Sequence, residues 1–128
     1  MRPHLALFFA AMFCGCSSST VPTAKFFFGE PVSHWLAEAT NADPKHRLKA
    51  IEVLGNVGPA DPGAIPAMTK ALSDKDLKIR TAAVLGLAKI GPDAQSALPR
   101  LQEMAASEKD ATLRKHIQTA ITKIQGQA

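Results

Sequence analysis

The sequence predicts an all-α fold: a right-handed α-solenoid of antiparallel helix pairs that repeats about every 33 residues. Three observations predict it. First, KHRLKAIEVLGNVGP from Lys45 and KIRTAAVLGLAKIGP from Lys78 align without gaps, at an offset of 78 − 45 = 33. Second, Ile79, Ala83, Leu87 and Ile90 are spaced four, four and three apart, which is one stripe of a 3.6-residue period. Third, 46% of the residues are hydrophobic but only 5% are aromatic and Tyr is absent. An apolar set made mostly of Ala, Leu, Ile and Val favours close helix packing over a β-sandwich.

The chain opens on Arg2 and an unbroken apolar run of nine residues, Leu5 to Phe13. A spanning helix needs about 20 residues, so this run has the length of a signal-peptide core instead. Phe13-Cys14-Gly15-Cys16 follows, then a Ser/Thr-rich stretch. This resembles a bacterial lipobox, in which a small residue precedes the cysteine that is acylated and becomes the new N-terminus. Gly15 places that role on Cys16. Phe13 and Cys14 depart from the usual Leu and Ala or Ser. A Cys14–Cys16 disulfide would be strained, and a metal clip lacks further ligands nearby. Two alternatives stay open. One is soluble export by cleavage near Ala24, which Pro22 disfavours; the other is a cytoplasmic protein with an uncleaved apolar start. The resemblance implies a signal peptide over 1–15, a lipidated Cys16 with a tether over 16–30, and a membrane anchor of two or three acyl chains at the bacterial envelope. No free cysteine would then remain, as an oxidising compartment tolerates.

Ser17 to Lys25 is polar and spans at most about 30 Å when extended. Phe26-Phe27-Phe28 breaks that polarity. It is either a flap over the first open helix face or a contact with membrane or partner.

The repeat region covers 31–128. Pro31 to Thr40 is a lone half-repeat, with Trp35 in register with Met68. Two full repeats follow. A last half-copy begins near Asp110 at an offset of 34, matching Leu113, Arg114, Ile117, Ile121 and Ile124 to Ile79, Arg80, Ala83, Leu87 and Ile90. Asn41, Asp74 and Ser107 recur at the offset of 33 and are all good N-cap types. Gly58 and Gly91, each followed by Pro, close the first two helices of this kind. Asp43–Arg47, Asp76–Arg80 and Asp110–Arg114 are each four apart near a helix start, where such pairs meet on one face.

The D-x-x-x-R, A-x-x-x-L-G and closing G-P elements resemble HEAT repeats, of the short bacterial type found in phycobilin-lyase-like proteins. The resemblance covers about Pro31 to Gln125. It implies that the Asp and Arg residues form a structural ladder between neighbouring repeats. It also implies binding through a concave face. The second helix of each pair is expected to build that face, from His34, Ala67 and Arg100 together with Ala37, Lys70 and Glu103.

The formal net charge of +4 is mild, and no dense Lys/Arg stripe with aromatic partners appears, so nucleic acid is not an expected ligand. His46 falls on the apolar stripe opposite Ile79 and Leu113, as a core or edge residue satisfied by one hydrogen bond. No H-E pair, H-E-x-x-H, G-x-S-x-G or phosphate loop is present. The expectation is a non-catalytic, cofactor-free scaffold that binds a protein at the envelope. The alternative is a subunit of a lyase-like HEAT enzyme acting on a protein-bound substrate. A short array also leaves apolar end faces, the 26–35 segment and the last helix, through which a homodimer would form.

Overall fold

The computed structural model describes residues 25–127. The signal peptide, the lipidated Cys16 and the tether up to 24 lie outside the described residues. Six α-helices follow a small hairpin: β1 (Phe26–Phe27), β2 (Glu30–Pro31), α1 (Val32–Glu38), α2 (Pro44–Val57), α3 (Ala64–Ala71), α4 (Leu77–Ile90), α5 (Leu98–Ser107) and α6 (Ala111–Ile124). The order is the half-repeat, two pairs and half-repeat that the periodicity predicts. No described helix is long and apolar enough to cross a membrane.

The helix starts differ from the expected caps. Asp43, Asp76 and Asp110 are the N-caps, accepting from the amides of Lys45 (2.8 Å), Lys78 (2.8 Å) and Leu113 (2.7 Å). Each also places a negative charge at the positive helix end. Asn41 and Asp74 sit two residues earlier and accept from the amides of Asp43 and Asp76, an Asx turn that leads into the cap. Ser107 is the last residue of α5 and donates back to the Glu103 carbonyl. Glu108 takes its expected place, accepting from the Asp110 amide at 3.1 Å.

Helices α2 and α4 end at Gly58 (φ 58°, ψ −141°) and Gly91 (φ 73°, ψ −135°), whose amides return to the Leu54 and Leu87 carbonyls. The chain then turns through the short 3₁₀ segments Gly58–Ala60 and Gly91–Ala97, each with Pro at its second position.

The six helices form two layers over one continuous core, with α2, α4 and α6 in one and α1, α3 and α5 in the other. Ile51, Leu54, Met68, Leu87, Leu101 and Ile117 are all fully buried between them. The α2–α4 and α4–α6 contacts are the most extensive in the fold, and α1, α3 and α5 make none of that extent with one another. A Cβ built on Gly55 would lie 3.3 Å from the Gly86 Cα, so α2 and α4 meet backbone to backbone. Clefts open between α1 and α3 and between α3 and α5. His34, Ala67, Lys70, Arg100 and Glu103 lie on α1, α3 and α5, the layer of second helices on which the sequence reading placed the binding face.

The Phe26–Phe28 stretch folds as a hairpin, which sequence reading left as a flap. Phe27 packs against the core, and its carbonyl accepts from Trp35 Nε1 at 3.0 Å. Lys25 ties the base of the hairpin down, its Nζ donating to the Ala60 carbonyl at 2.8 Å. The hairpin thus covers part of the open end made by α1 and α2.

Gly58→Ala tests the helix terminus. A Cβ there has room, 3.6 Å from Ile90 Cγ1, so the cost is backbone strain alone. The expected loss is about 1–3 kcal/mol, read as a lower midpoint in thermal or urea unfolding. An unchanged midpoint would mean that the terminus relaxes without strain.

Candidate functional site

The expected i, i+4 Asp–Arg pairs do not form. An N-cap residue has extended backbone (Asp43 φ −78°, ψ 121°), so its carboxylate turns toward the helix amides and away from the helix face. The arginines form a ladder between repeats with other acids. Arg47 Nε and Nη2 donate to the Asp74 carboxylate at 2.8 and 3.2 Å, and its Nη1 donates to the carbonyls of Asn41 and Ala42. Arg80 repeats this with Glu108 at 3.2 and 3.4 Å and with the carbonyls of Asp74 and Lys75. Among the described residues, Arg114 makes the carbonyl half of the pattern, at Glu108 and Lys109. The planar guanidinium suits this role, because one edge holds the loop that starts its own helix while the other grips the next loop.

Burial alone would raise the Asp74 carboxyl. The hydrogen bonds from Arg47 and from the Asp76 amide outweigh it and hold Asp74 below the ordinary carboxylate range. Glu108 is likewise pushed up by burial and pulled further down by the Asp110 amide and Arg80. The Arg47–Asp74 and Arg80–Glu108 rungs are therefore ionic links between neighbouring repeats.

The open end carries a second polar group. His46 stands in the column of Ile79 and Leu113 but is exposed there, since no earlier repeat covers it. Its Nδ1 lies 2.6 Å from Glu38 Oε2, and this hydrogen bond is the main cause that holds Glu38 below its usual range. His34 lies beside it, edge-on to Trp35 with ring centres 5.0 Å apart. The structure does not gather the other expected site residues around His34. Ala67 packs on the core, while Lys70 and Arg100 line the cleft between α3 and α5. Arg100 is engaged by Ser73 Oγ at 3.1 Å and by Glu103 at 2.8 Å. Among the described residues, no group of His, Cys, Asp and Glu could hold a metal ion.

The feature most suited to binding is one that sequence reading missed. A groove of about 580 Å³ runs between α2 and α4. Gly55 and Gly86 leave its floor without side chains, and Leu48, Ala82, Leu77 and Leu85 form its apolar walls. Leu77 and Leu85 are 42% and 47% exposed, two of only four large hydrophobic residues exposed among the described residues. Lys89 Nζ bridges to Asn56 Oδ1 at 2.6 Å and joins the two helices at one end. Glu52 and Lys78 stand at the rim. The Thr81 hydroxyl already donates its proton to the Leu77 carbonyl at 2.8 Å, so toward a partner it is left as an acceptor. A surface of this kind binds by burying apolar side chains, and the volume falls within the range of ligand clefts. One sequence signal could have found it: Leu85 lies off the buried stripe of α4, directly before a glycine.

The geometry defines a short helical-repeat array with an apolar groove between α2 and α4. The family model described as HEAT repeats matches residues 32–122, from the start of α1 nearly to the end of α6. The chain belongs to the HEAT-repeat family. No curated protein matches it.

The ladder predicts a pH dependence. Asp74 and Glu108 have folded pKa values below their unfolded ones, so their stabilisation is complete above the unfolded range near 4. It is lost as pH falls through the folded values. Urea unfolding at a series of pH values should show stability falling below about pH 4. Asp74→Asn with Glu108→Gln should lower stability at pH 7 and flatten that acid fall, leaving the smaller slope due to Glu38. An acid fall of the same size in the double variant would show that other carboxyls carry it.

Proposed function

We propose that the chain is a non-catalytic scaffold module, lipid-anchored at a bacterial envelope through Cys16, that holds apolar side chains of a protein partner in the α2–α4 groove. The observation that carries the reading is the groove itself: Leu77 and Leu85 stay exposed over a glycine floor when the rest of the described core is closed. Proteins built from HEAT repeats generally mediate protein–protein contact, which supports a scaffold. The apolar start, Gly15-Cys16 and the Ser/Thr tether support the anchor. Anchoring would raise the concentration of the groove near a membrane partner.

A photo-crosslinking residue at Thr81 tests the partner site in cells. It should give a discrete protein adduct, whereas one at Lys115, exposed on α6, should give none. Leu77→Asp with Leu85→Asp should leave helicity intact and lower the adduct by at least about tenfold, the equivalent of 1.4 kcal/mol of lost burial. No Thr81 adduct, or one indifferent to the aspartates, rejects the groove. Cys16→Ser should move the protein out of the membrane fraction, and its retention there with unchanged processing rejects the anchor.

A further inference from the structure

The exposed large hydrophobics fall into two patches, and the groove accounts for only one. The other is the hairpin, where Phe26 is 65% and Phe28 is 71% exposed. Phe27 turns inward to the core, so Phe26, its strand neighbour, turns outward, and Phe28 is exposed at the turn. Phe28 is also the only described non-glycine residue with positive φ, at 55°, followed by Gly29 at 81°. Positive φ at both central positions is the signature of a type I′ turn, which ordinarily carries Asn or Asp and Gly. An aromatic residue there is an outlier with a strain cost, and a residue held in strain and projected into water points to contact with something outside the chain.

Two observations say what. The described chain begins at Lys25, the base of this hairpin, and the nine residues from Ser17 to Lys25 separate it from Cys16 by at most about 30 Å. Two lysines flank the patch: Lys49 Nζ lies 4.8 Å from the centre of the Phe28 ring, and Lys25 stands at the base, with Glu30 on the hairpin and Asp61 beside the Ala60 carbonyl that Lys25 holds. Paired aromatic rings flanked by lysines suit the boundary between headgroups and acyl chains of an anionic bilayer.

We infer that the hairpin tip, through Phe26, Phe28 and Lys49, inserts into the lipid headgroup boundary and orients the repeat array against the bilayer. The inference rests on the lipid-anchor reading. The bilayer is then the second contact, and it fixes which way the groove faces once the tether holds the chain nearby.

The test uses the full chain, lipidated in a bacterial host and reconstituted into phosphatidylethanolamine–phosphatidylglycerol vesicles with brominated acyl chains. Trp35 is the sole tryptophan, so wild-type protein supplies the background. Emission from a Phe28→Trp variant should be quenched roughly twofold, as for a ring about 5–10 Å into the boundary. A Phe26→Trp variant, at an ordinary strand position, should respond alike if Phe28→Trp disturbs the turn. Leu85→Trp, in the groove, should not be quenched. Flotation reads the anchor separately. Quenched hairpin reporters at excess lipid, in a chain that does not float, uphold the hairpin and reject the anchor. A floating chain with unquenched hairpin reporters overturns the inference, keeps the anchor and leaves a protein as what covers the hairpin. Equal quenching at Leu85→Trp overturns it as well, since contact would then not be specific to the hairpin. A chain that neither floats nor shows quenching rejects both.

Discussion

The close approach of α2 and α4 at Gly55 and Gly86 is the constraint on which the rest of the structure depends. Side chains normally hold packed helices 8–10 Å apart. Here two glycines remove them at the crossing, and a Cβ on Gly55 would press the opposing backbone at 3.3 Å. On the core side, a Cβ on Gly86 would run into Met68 Sδ at 2.8 Å, so the space below is filled by a buried methionine. One contact thus brings α2 and α4 together and clears the groove floor. Between α1, α3 and α5, leucine, proline and lysine side chains line clefts.

The arginine ladder locks the repeats at the spacing that this contact allows. Each rung joins a helix to the loop that starts the next helix of the same layer, so neighbouring repeats cannot slide without breaking a bidentate pair. Among the described residues the first and last copies depart from the pattern. The first loop carries Asn41, where the second has Asp74, and His46 is exposed in the column of Ile79 and Leu113. Arg114 keeps its carbonyl bonds.

Much of the fold was legible in the sequence, because a 33-residue repeat states each signal more than once. The helix order and the glycine–proline ends of α2 and α4 follow directly. The caps were misplaced because two cap-competent residues lie close together at each start, Asn41 and Asp43 or Asp74 and Asp76, and only geometry assigns the roles. The ladder acids were misplaced for the same reason: Asp74 and Asp76 are alike in sequence, but one faces a helix end and the other a neighbouring repeat. The groove was hidden by the repeat itself. Gly55 aligns with Ala88 at the offset of 33, whereas it touches Gly86, 86 − 55 = 31 residues on. Repeat alignment matches equivalent positions, but packing brings together positions that are not equivalent. For the same reason the sequence did not reveal which layer packs more extensively.

The glycine contact is the origin of the close α2–α4 crossing and of the groove. A crystal structure of the Gly55→Val variant tests this most directly. The branched side chain meets the Gly86 backbone at 3.3 Å, with the Met68 sulfur next at 4.0 Å. The expected result is that α2 moves away from α4 at the crossing and that the Arg47–Asp74 rung lengthens. Unchanged spacing between α2 and α4, with the valine lying in the groove and the rung intact, would contradict it.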